Sequence, residues 1–294
     1  MTALQPGDIT ANQGDNHLGP GEASADPAAY VRQALDDYDE RFLACDDELR
    51  RQLVAGTRRL LAESLTDEIR ARLPVDHRIR AFCIRHDLID ELARLIADEA
   101  AGRHAGAVVV GGRVYALYPY LRGVPRRDAD ITAEVGVDHH LAGVSWTADA
   151  LRIRGRAAIE RVAARDQHVE IVLRERATRA ELRIDAEPCG DSRPGAGGGE
   201  FTAMVAPAGL PPGQWDVHVS VQALGLVRQA PFGSVKDPGL DGSLPDRPEA
   251  TVYVTGDGHL AIAVPGRAHR LARAWWRRLT HRGATRPATP DVSR

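Results

Sequence analysis

The chain has 294 residues, a formal net charge of -3 at pH 7 and 43% hydrophobic residues, the composition of an ordinary globular protein with one large domain or two smaller ones. The near-neutral charge argues against a protein that binds nucleic acid over its whole surface, since such proteins carry a strong basic excess. Its 3 cysteines form no C-x-x-C pair, which argues against a zinc knuckle, and no stretch approaches the roughly 20 apolar residues of a membrane span.

The N-terminal segment, residues 1–26, is polar and rich in Gly, Asp, Asn and Pro. This composition predicts a disordered tail. The segment lacks the basic start and apolar run of a signal peptide, so we expect a cytoplasmic protein. Asp26 and Pro27 then predict a helix start, with aspartate at the N-cap and proline at the first helical position.

Residues 27–104 have the apolar spacing of amphipathic helices, with steps of three and four residues between Tyr30 and Ile96. Pro74 predicts the end of one helix and the start of the next, because proline disfavours helix in the residue before it. Gly102 predicts the end of the last helix. We expect a helical, linker-like domain here, either an α-bundle or a connecting arm.

From residue 105 to residue 265 the apolar residues alternate, which is the period of β-strands. Gly111 and Gly112 predict a tight hairpin turn, and residues 131–135 predict a further strand. Short strands at roughly 8–12-residue spacing indicate an antiparallel β-sandwich. No long helical pattern separates the strands after residue 130, which excludes a parallel α/β sheet. The predicted fold class is α+β.

The C-terminal segment, residues 266–294, predicts a short basic helix and a polar tail. Apolar residues recur there at four-residue steps, with arginines between them. A basic helix with tryptophans can lie on an anionic membrane surface; the alternative is a helix that docks on the domain. The residues that would contact the membrane surface are Arg270, Arg273, Trp275, Trp276, Arg277 and Arg278.

Three motifs contain residues that are common in functional sites, but the surrounding sequence lacks the features that such sites require. The glycine run at 195–199 lacks the lysine and hydroxyl residue of a phosphate loop, so it predicts a strand connector. The run Asp138-His139-His140 predicts side chains on opposite faces of a strand, which do not share one metal ion. Asp128 and Asp130 resemble the metal-binding aspartates of many glycosyltransferases, but they precede a sandwich strand. We therefore predict no catalytic residue, metal or cofactor.

Two tryptophans are candidate glycan-binding residues. Trp215 opens the strand with the clearest alternation, and Trp146 lies near the end of another predicted strand. Each is either an anchor of the sandwich core or a platform on which a sugar ring stacks. Solvent exposure of the indole ring distinguishes the two interpretations.

Several segments resemble the region after the catalytic domain of actinobacterial family 2 glycosyltransferases related to wall teichoic acid glycosyltransferases. The resemblance is centred on LPVDHRIRAFCIRHDL within residues 65–98 and extends over about residues 30–265. The other matching segments are GRVYALYPY at 112–120, DITAE at 130–134, LRERA at 173–177 and GQWDVHVS at 213–220.

The resemblance implies a helical linker followed by an immunoglobulin-like sandwich. In that family the nucleotide-sugar-binding domain comes first, and this sequence shows none, so no catalytic residue can be carried over. We expect a non-catalytic accessory module, from a truncated gene or a free-standing partner of a catalytic chain. It would self-associate or bind a cell-wall polymer, at the inner membrane face. The alternatives are a glycosyltransferase with an unrecognised active site and a free-standing carbohydrate-binding sandwich.

Overall fold

The structure is a computed structural model that describes residues 26–164, 166–189, 199–240 and 246–266. Within these described residues, the α-helices all lie before residue 130. They are α1 (Pro27–Asp36), α2 (Glu40–Ala44), α3 (Asp47–Ser64), α4 (Asp67–Arg72), α5 (Val75–Arg85), α6 (Ile89–Ala100) and α7 (Arg126–Ala129).

The strands begin after α6 and continue to the end of the described residues. They are β1 (Gly106–Val110), β2 (Arg113–Leu117), β3 (Val137–Thr147), β4 (Ala150–Ile159), β5 (His168–Glu175), β6 (Glu181–Asp185), β7 (Glu187–Pro188), β8 (Gly199–Val205), β9 (Gly213–Ala223), β10 (Leu226–Pro231), β11 (Asp246–Arg247), β12 (Ala250–Val254) and β13 (Leu260–Val264). Helices followed by antiparallel sheets confirm the predicted α+β class.

In the described part of the chain, the strands form two larger antiparallel sheets and one separate hairpin. The larger sheet has the order β11-β12-β13-β9-β5-β6, with β10 also paired to β9, and the other has the order β3-β4-β8-β7. The hairpin is β1-β2, and positive φ angles at Gly111 and Gly112 form its two-residue turn as predicted. Consecutive strands also pair in β5 with β6, β9 with β10 and β12 with β13.

The helix starts follow the capping rules. The side chain of Asp26 accepts a hydrogen bond from the backbone N–H of Ala28 at 3.2 Å, which confirms the predicted start of α1. Helix α5 begins directly after Pro74. Gly56 lies inside α3 and does not interrupt it. The apolar stripe from Tyr30 onward is divided among three helices, α1, α2 and α3, because the aspartates between them cap new helices.

The predicted strand at 131–135 is wrong. These residues form a turn in which the N–H groups of Glu134 and Val135 both donate to the carbonyl of Ile131. The cause is Asp130, whose Oδ1 accepts from the backbone N–H of Thr132 at 2.9 Å and from its hydroxyl at 2.5 Å. Such local side-chain bonds compete with strand pairing. We call residues 130–135 the connector, because they join α7 to the start of β3.

Arginines from both parts of the fold bind the connector. Arg78 of α5 donates from Nη2 to the carbonyl of Asp130 and to Glu134, each at 2.6 Å. Arg228 of β10 donates from Nε to the carbonyl of Val135 at 3.0 Å and from Nη2 to the carbonyl of Thr132. The helical part and the larger sheet are therefore tied to the same short stretch of backbone.

The core lies between the two larger sheets and continues under the helices. On β9, alternation buries Trp215, Val217, Val219 and Val221 on one face. Phe232 is fully buried and lies against Gly155 of β4. A Cβ at Gly155 would lie 2.6 Å from the Phe232 ring and 2.6 Å from the carbonyl of His140, so the close approach requires glycine.

Some predicted elements lie outside the described residues. They are the tail up to residue 25, most of the glycine run at 195–199, and the basic helix with Arg270, Arg273, Trp275, Trp276, Arg277 and Arg278. Among the helices of the described part, none combines the length and apolarity needed to cross a membrane.

Candidate functional site

A small cavity lies where α4 and α5 meet α7. Its volume is about 130 Å³. One side of the wall is apolar and is formed by Leu65, Ala81, Phe82 and Pro125. The other side is polar and consists of Arg70, Arg78, Arg85, His86, Arg127 and Asp128.

Local structure explains how these side chains converge. Thr66 caps α4 through its side chain, which places Arg70 in the last turn of that short helix. Arg78 and Arg85 lie two turns apart on α5, so they share one face of the helix. Asp128 comes from α7, which follows Pro125. Residues that are distant in the sequence therefore meet only in the folded chain.

Ion pairs neutralise most, but not all, of the positive charge. Arg70 contacts Asp67 at 2.9 Å through Nη1 and Asp128 at 3.5 Å through Nε. Arg127 contacts the same oxygen of Asp67 at 3.3 Å, and Arg78 is paired with Glu134. The guanidinium groups of the wall thus outnumber the carboxylates that they contact.

Arg85 is the unpaired cation of the wall. Its side chain is exposed at the end of α5, and it has no hydrogen-bond or ion-pair partner among the described residues. An exposed, unpaired guanidinium beside a cavity can bind an anionic oxygen with little prior rearrangement, since its fork of donors is planar and rigid.

Two buried atoms of the wall lack hydrogen-bond partners among the described residues. They are Nε of Arg78, a residue only 8% exposed, and Oδ1 of Asp128, a residue only 7% exposed. The charge of this Asp128 oxygen is balanced by Nε of Arg70 at 3.5 Å, which is too long for a good hydrogen bond. Buried polar groups are nearly always hydrogen-bonded, because an unsatisfied one costs about 1–3 kcal/mol. One atom is a donor and the other an acceptor, which is the pair of bonds that a hydroxyl group or a water molecule satisfies.

In the sequence, Asp128 and Asp130 resemble a pair of metal-binding aspartates. The structure separates their roles, since Asp128 contacts Arg70 whereas Asp130 contacts Arg113 at 2.8 Å and Thr132. Asp128 instead belongs to the cavity wall. The arginines of the wall were missed, because α4 and α5 carry the ordinary mixed charges of a solvated helix face.

The candidate glycan-binding tryptophans lie in different sheets. Trp215 is only 3% exposed, and its Nε1 donates to the carbonyl of Pro211 at 3.1 Å. A stacking platform needs an exposed ring face, so this geometry favours the core interpretation for Trp215. Trp146 is half-buried on β3, and the guanidinium of Arg247 lies 5.0 Å from its ring centroid. A glycan contact of Trp146 stays a prediction.

The polar run on β3 is divided between the faces of the strand. Asp138 contacts Arg156 at 3.6 Å, and His140 contacts Asp237 at 3.3 Å. His139 is buried against Phe232, with ring centroids 5.5 Å apart. The three side chains therefore have separate partners and do not form a common site.

Burial of His139 predicts a pH-dependent stability. Burial lowers the pKa of His139 below its ordinary value of 6.5. The unfolded chain therefore takes up this proton at higher pH than the folded protein, and the free energy of unfolding falls as the pH drops from about 6.5 through the lowered pKa. We expect His139→Leu to make this decline shallower in denaturation curves recorded between pH 7.5 and 5.5.

The matched control is His104→Leu, which removes an exposed histidine. It should leave the pH dependence unchanged. His218, whose pKa burial also lowers, should keep part of the decline in the His139 variant. Equal pH profiles for wild type and His139→Leu would show that His139 does not contribute.

A second group of polar side chains lies on the edge of the larger sheet. Cross-strand pairing of Glu170 with Asp185 brings both near His168, with Nε2 of His168 at 3.3 Å from Asp185. Arg183 donates to Glu170 at 2.8 Å and occupies one carboxylate oxygen. The group is exposed and ion-paired, so it resembles a surface charge network more than a ligand set.

Comparisons with known proteins give one family match and a set of similar solved structures. Residues 18–96 match the family described as glycosyl transferase TarS linker domain. No curated protein matches the chain. Two crystal structures of S. aureus TarS are among the solved structures that match. For TarS 217-571 the identity is 13% and the TM-score 0.45, with 81% of this chain and 76% of that chain covered. For S. aureus TarS the identity is 12% and the TM-score 0.40, with 81% of this chain and 48% of that chain covered.

The family match begins in the N-terminal segment and ends in α6. It therefore contains α4, α5 and four polar residues of the cavity wall, Arg70, Arg78, Arg85 and His86. Three residues of the cavity wall lie outside the match, namely Pro125, Arg127 and Asp128. An actinobacterial origin stays a prediction. The expected resemblance is confirmed over residues 18–96, where the chain matches the family described as glycosyl transferase TarS linker domain.

Proposed function

We propose that the chain is a non-catalytic accessory module of a wall teichoic acid glycosyltransferase, and that it holds the acceptor polymer near a catalytic domain. The observation that carries this proposal is the linker match at residues 18–96. The connector supports it, because Arg78 and Arg228 tie the helices to the larger sheet and would keep a bound polymer at a fixed distance from whatever precedes the helices.

The polar residues of the described part support a binding role over a catalytic one. The aspartates that resemble a metal pair, Asp128 and Asp130, contact different arginines. The cavity beside Asp128 carries surplus guanidinium groups, which suit an anionic polymer. Self-association of the chain would bring several copies of this surface together, and we include it in the same proposal.

The experiment supplies the catalytic domain of a wall teichoic acid glycosyltransferase as a separate chain. We expect the purified protein alone to produce no turnover of nucleotide sugars with Mg²⁺ or Mn²⁺. We expect it to increase sugar transfer to polymer by the separate catalytic domain, and to retain wall teichoic acid on a column. Sedimentation measures self-association in the same preparation.

Turnover by the protein alone that is lost in Asp130→Ala would overturn the accessory role in favour of an unrecognised active site. Absence of both polymer retention and stimulation of transfer would overturn it as well. Asp130→Ala is chosen for the first arm because Asp130 lies outside the cavity wall.

A further inference from the structure

We propose that the cavity between α4, α5 and α7 binds one hydroxylated phosphate ester, the chemistry of a polyol phosphate unit. This inference rests on the proposed function for the source of the ligand, the acceptor polymer. The site itself follows from three observations: the unpaired cation Arg85, the unsatisfied buried donor of Arg78 and the unsatisfied buried acceptor of Asp128.

The size of the cavity limits the ligand to a small group. Clefts that enclose drug-sized ligands measure about 300–1,000 Å³, whereas this cavity measures about 130 Å³. A nucleotide sugar does not fit into such a space. One phosphate group with an attached short polyol does, and so do a few water molecules, each of which occupies about 30 Å³ in the liquid.

The charges favour an anion at the mouth of the cavity. Arg127 shares its carboxylate partner, Asp67, with Arg70, so Arg127 is not fully neutralised, and Arg85 has no partner in the described part of the chain. Charge-assisted hydrogen bonds between guanidinium and phosphate are about twice as strong as neutral ones. The phosphate would therefore lie toward Arg85 and Arg127, the exposed arginines of the wall.

The unsatisfied atoms favour a hydroxyl group deeper in the cavity. A hydroxyl oxygen can accept from Nε of Arg78 and donate to Oδ1 of Asp128. Inorganic phosphate near neutral pH also has an O–H group that can donate to Asp128, but this bond places the charge of the anion beside the carboxylate, which repels it. The wall therefore distinguishes a phosphate ester that carries a hydroxyl group from phosphate alone.

The probe is sn-glycerol 3-phosphate, titrated into the full chain at constant ionic strength by calorimetry. Inorganic phosphate and glycerol are titrated as the two halves of the probe. We expect the ester to bind at least tenfold more tightly than either half. Arg85→Gln should weaken ester binding at least tenfold without lowering the melting temperature, because the Arg85 side chain is exposed and unpaired.

The matched control is Arg154→Gln, which removes an exposed arginine of β4 outside the cavity wall. It should leave ester binding unchanged. Asp128→Asn keeps the shape of the side chain and removes its charge, so it should reduce the preference for the ester over inorganic phosphate. If this variant does not fold, the Arg85 arm and the comparison of probes still decide the question.

Equal effects of Arg85→Gln and Arg154→Gln would overturn the site, and so would equal affinities for the ester and inorganic phosphate. Absence of binding at millimolar ester would mean that water fills the cavity. Retention of wall teichoic acid by a protein that does not bind the ester would refute this site and leave the accessory function standing. Ester binding without polymer retention would identify a free metabolite as the ligand.

Discussion

Replacement of Trp215 by alanine is expected to lower the free energy of unfolding by about 3–5 kcal/mol. The indole is 3% exposed, it lies on the buried face of β9, and its partner in the register on β13 is Ile262, which is fully buried. Removal of the ring leaves a cavity between the sheets and an unused carbonyl at Pro211. Chemical denaturation of the purified variant measures the loss.

The control is Trp215→Phe, which keeps most of the apolar volume and removes the hydrogen bond to Pro211. It should cost less than the alanine variant, because a typical hydrogen bond contributes about 0.5–1.5 kcal/mol. Unchanged unfolding of Trp215→Ala together with loss of glycan binding would instead support the stacking platform that the sequence left open.

Replacement of Phe232 by alanine should have an effect of similar size, about 3–5 kcal/mol. The ring is fully buried and contacts two other rings, with its centroid 5.7 Å from that of Phe201 and 5.5 Å from that of His139. Gly155 approaches it from β4 without a side chain that could fill the space. Thermal and chemical unfolding should both report the change.

Val235→Ala is the matched control for Phe232→Ala. It truncates an apolar side chain three residues away that is 55% exposed, so its effect should stay within about 0.5 kcal/mol. A Phe232 variant as stable as this control would mean that the ring does not anchor the contact between the sheets.

The regular parts of the fold could be predicted because their signals are local. The two-glycine turn of β1-β2, the alternation on β9 and the proline before α5 each act within a few residues. The segment at 131–135 has strand-like composition, yet it forms a turn because Asp130 bonds to Thr132. The alternation of apolar residues does not report such a local side-chain hydrogen bond, so it predicts a strand where a turn forms.

The cavity could not be predicted for a different reason. Arg70 and Asp128 are 58 positions apart in the numbering, and neither is unusual in its own segment. Their contact depends on how α7 docks against α4 and α5. Asp128 attracted attention only as half of an apparent metal pair, and its true partners come from the helical part.

The arginines that bind the connector have a consequence for sequence variation. Three of their acceptors are main-chain carbonyls, of Asp130, Thr132 and Val135. A carbonyl is present whichever side chain a residue carries, so most connector positions can be substituted while the hydrogen bonds from the two arginines remain. Arg78 and Arg228 have no such freedom, because only their guanidinium groups reach these oxygens. In relatives of this chain we therefore expect two arginines about 150 positions apart to be retained, while the sequence of the connector between them varies.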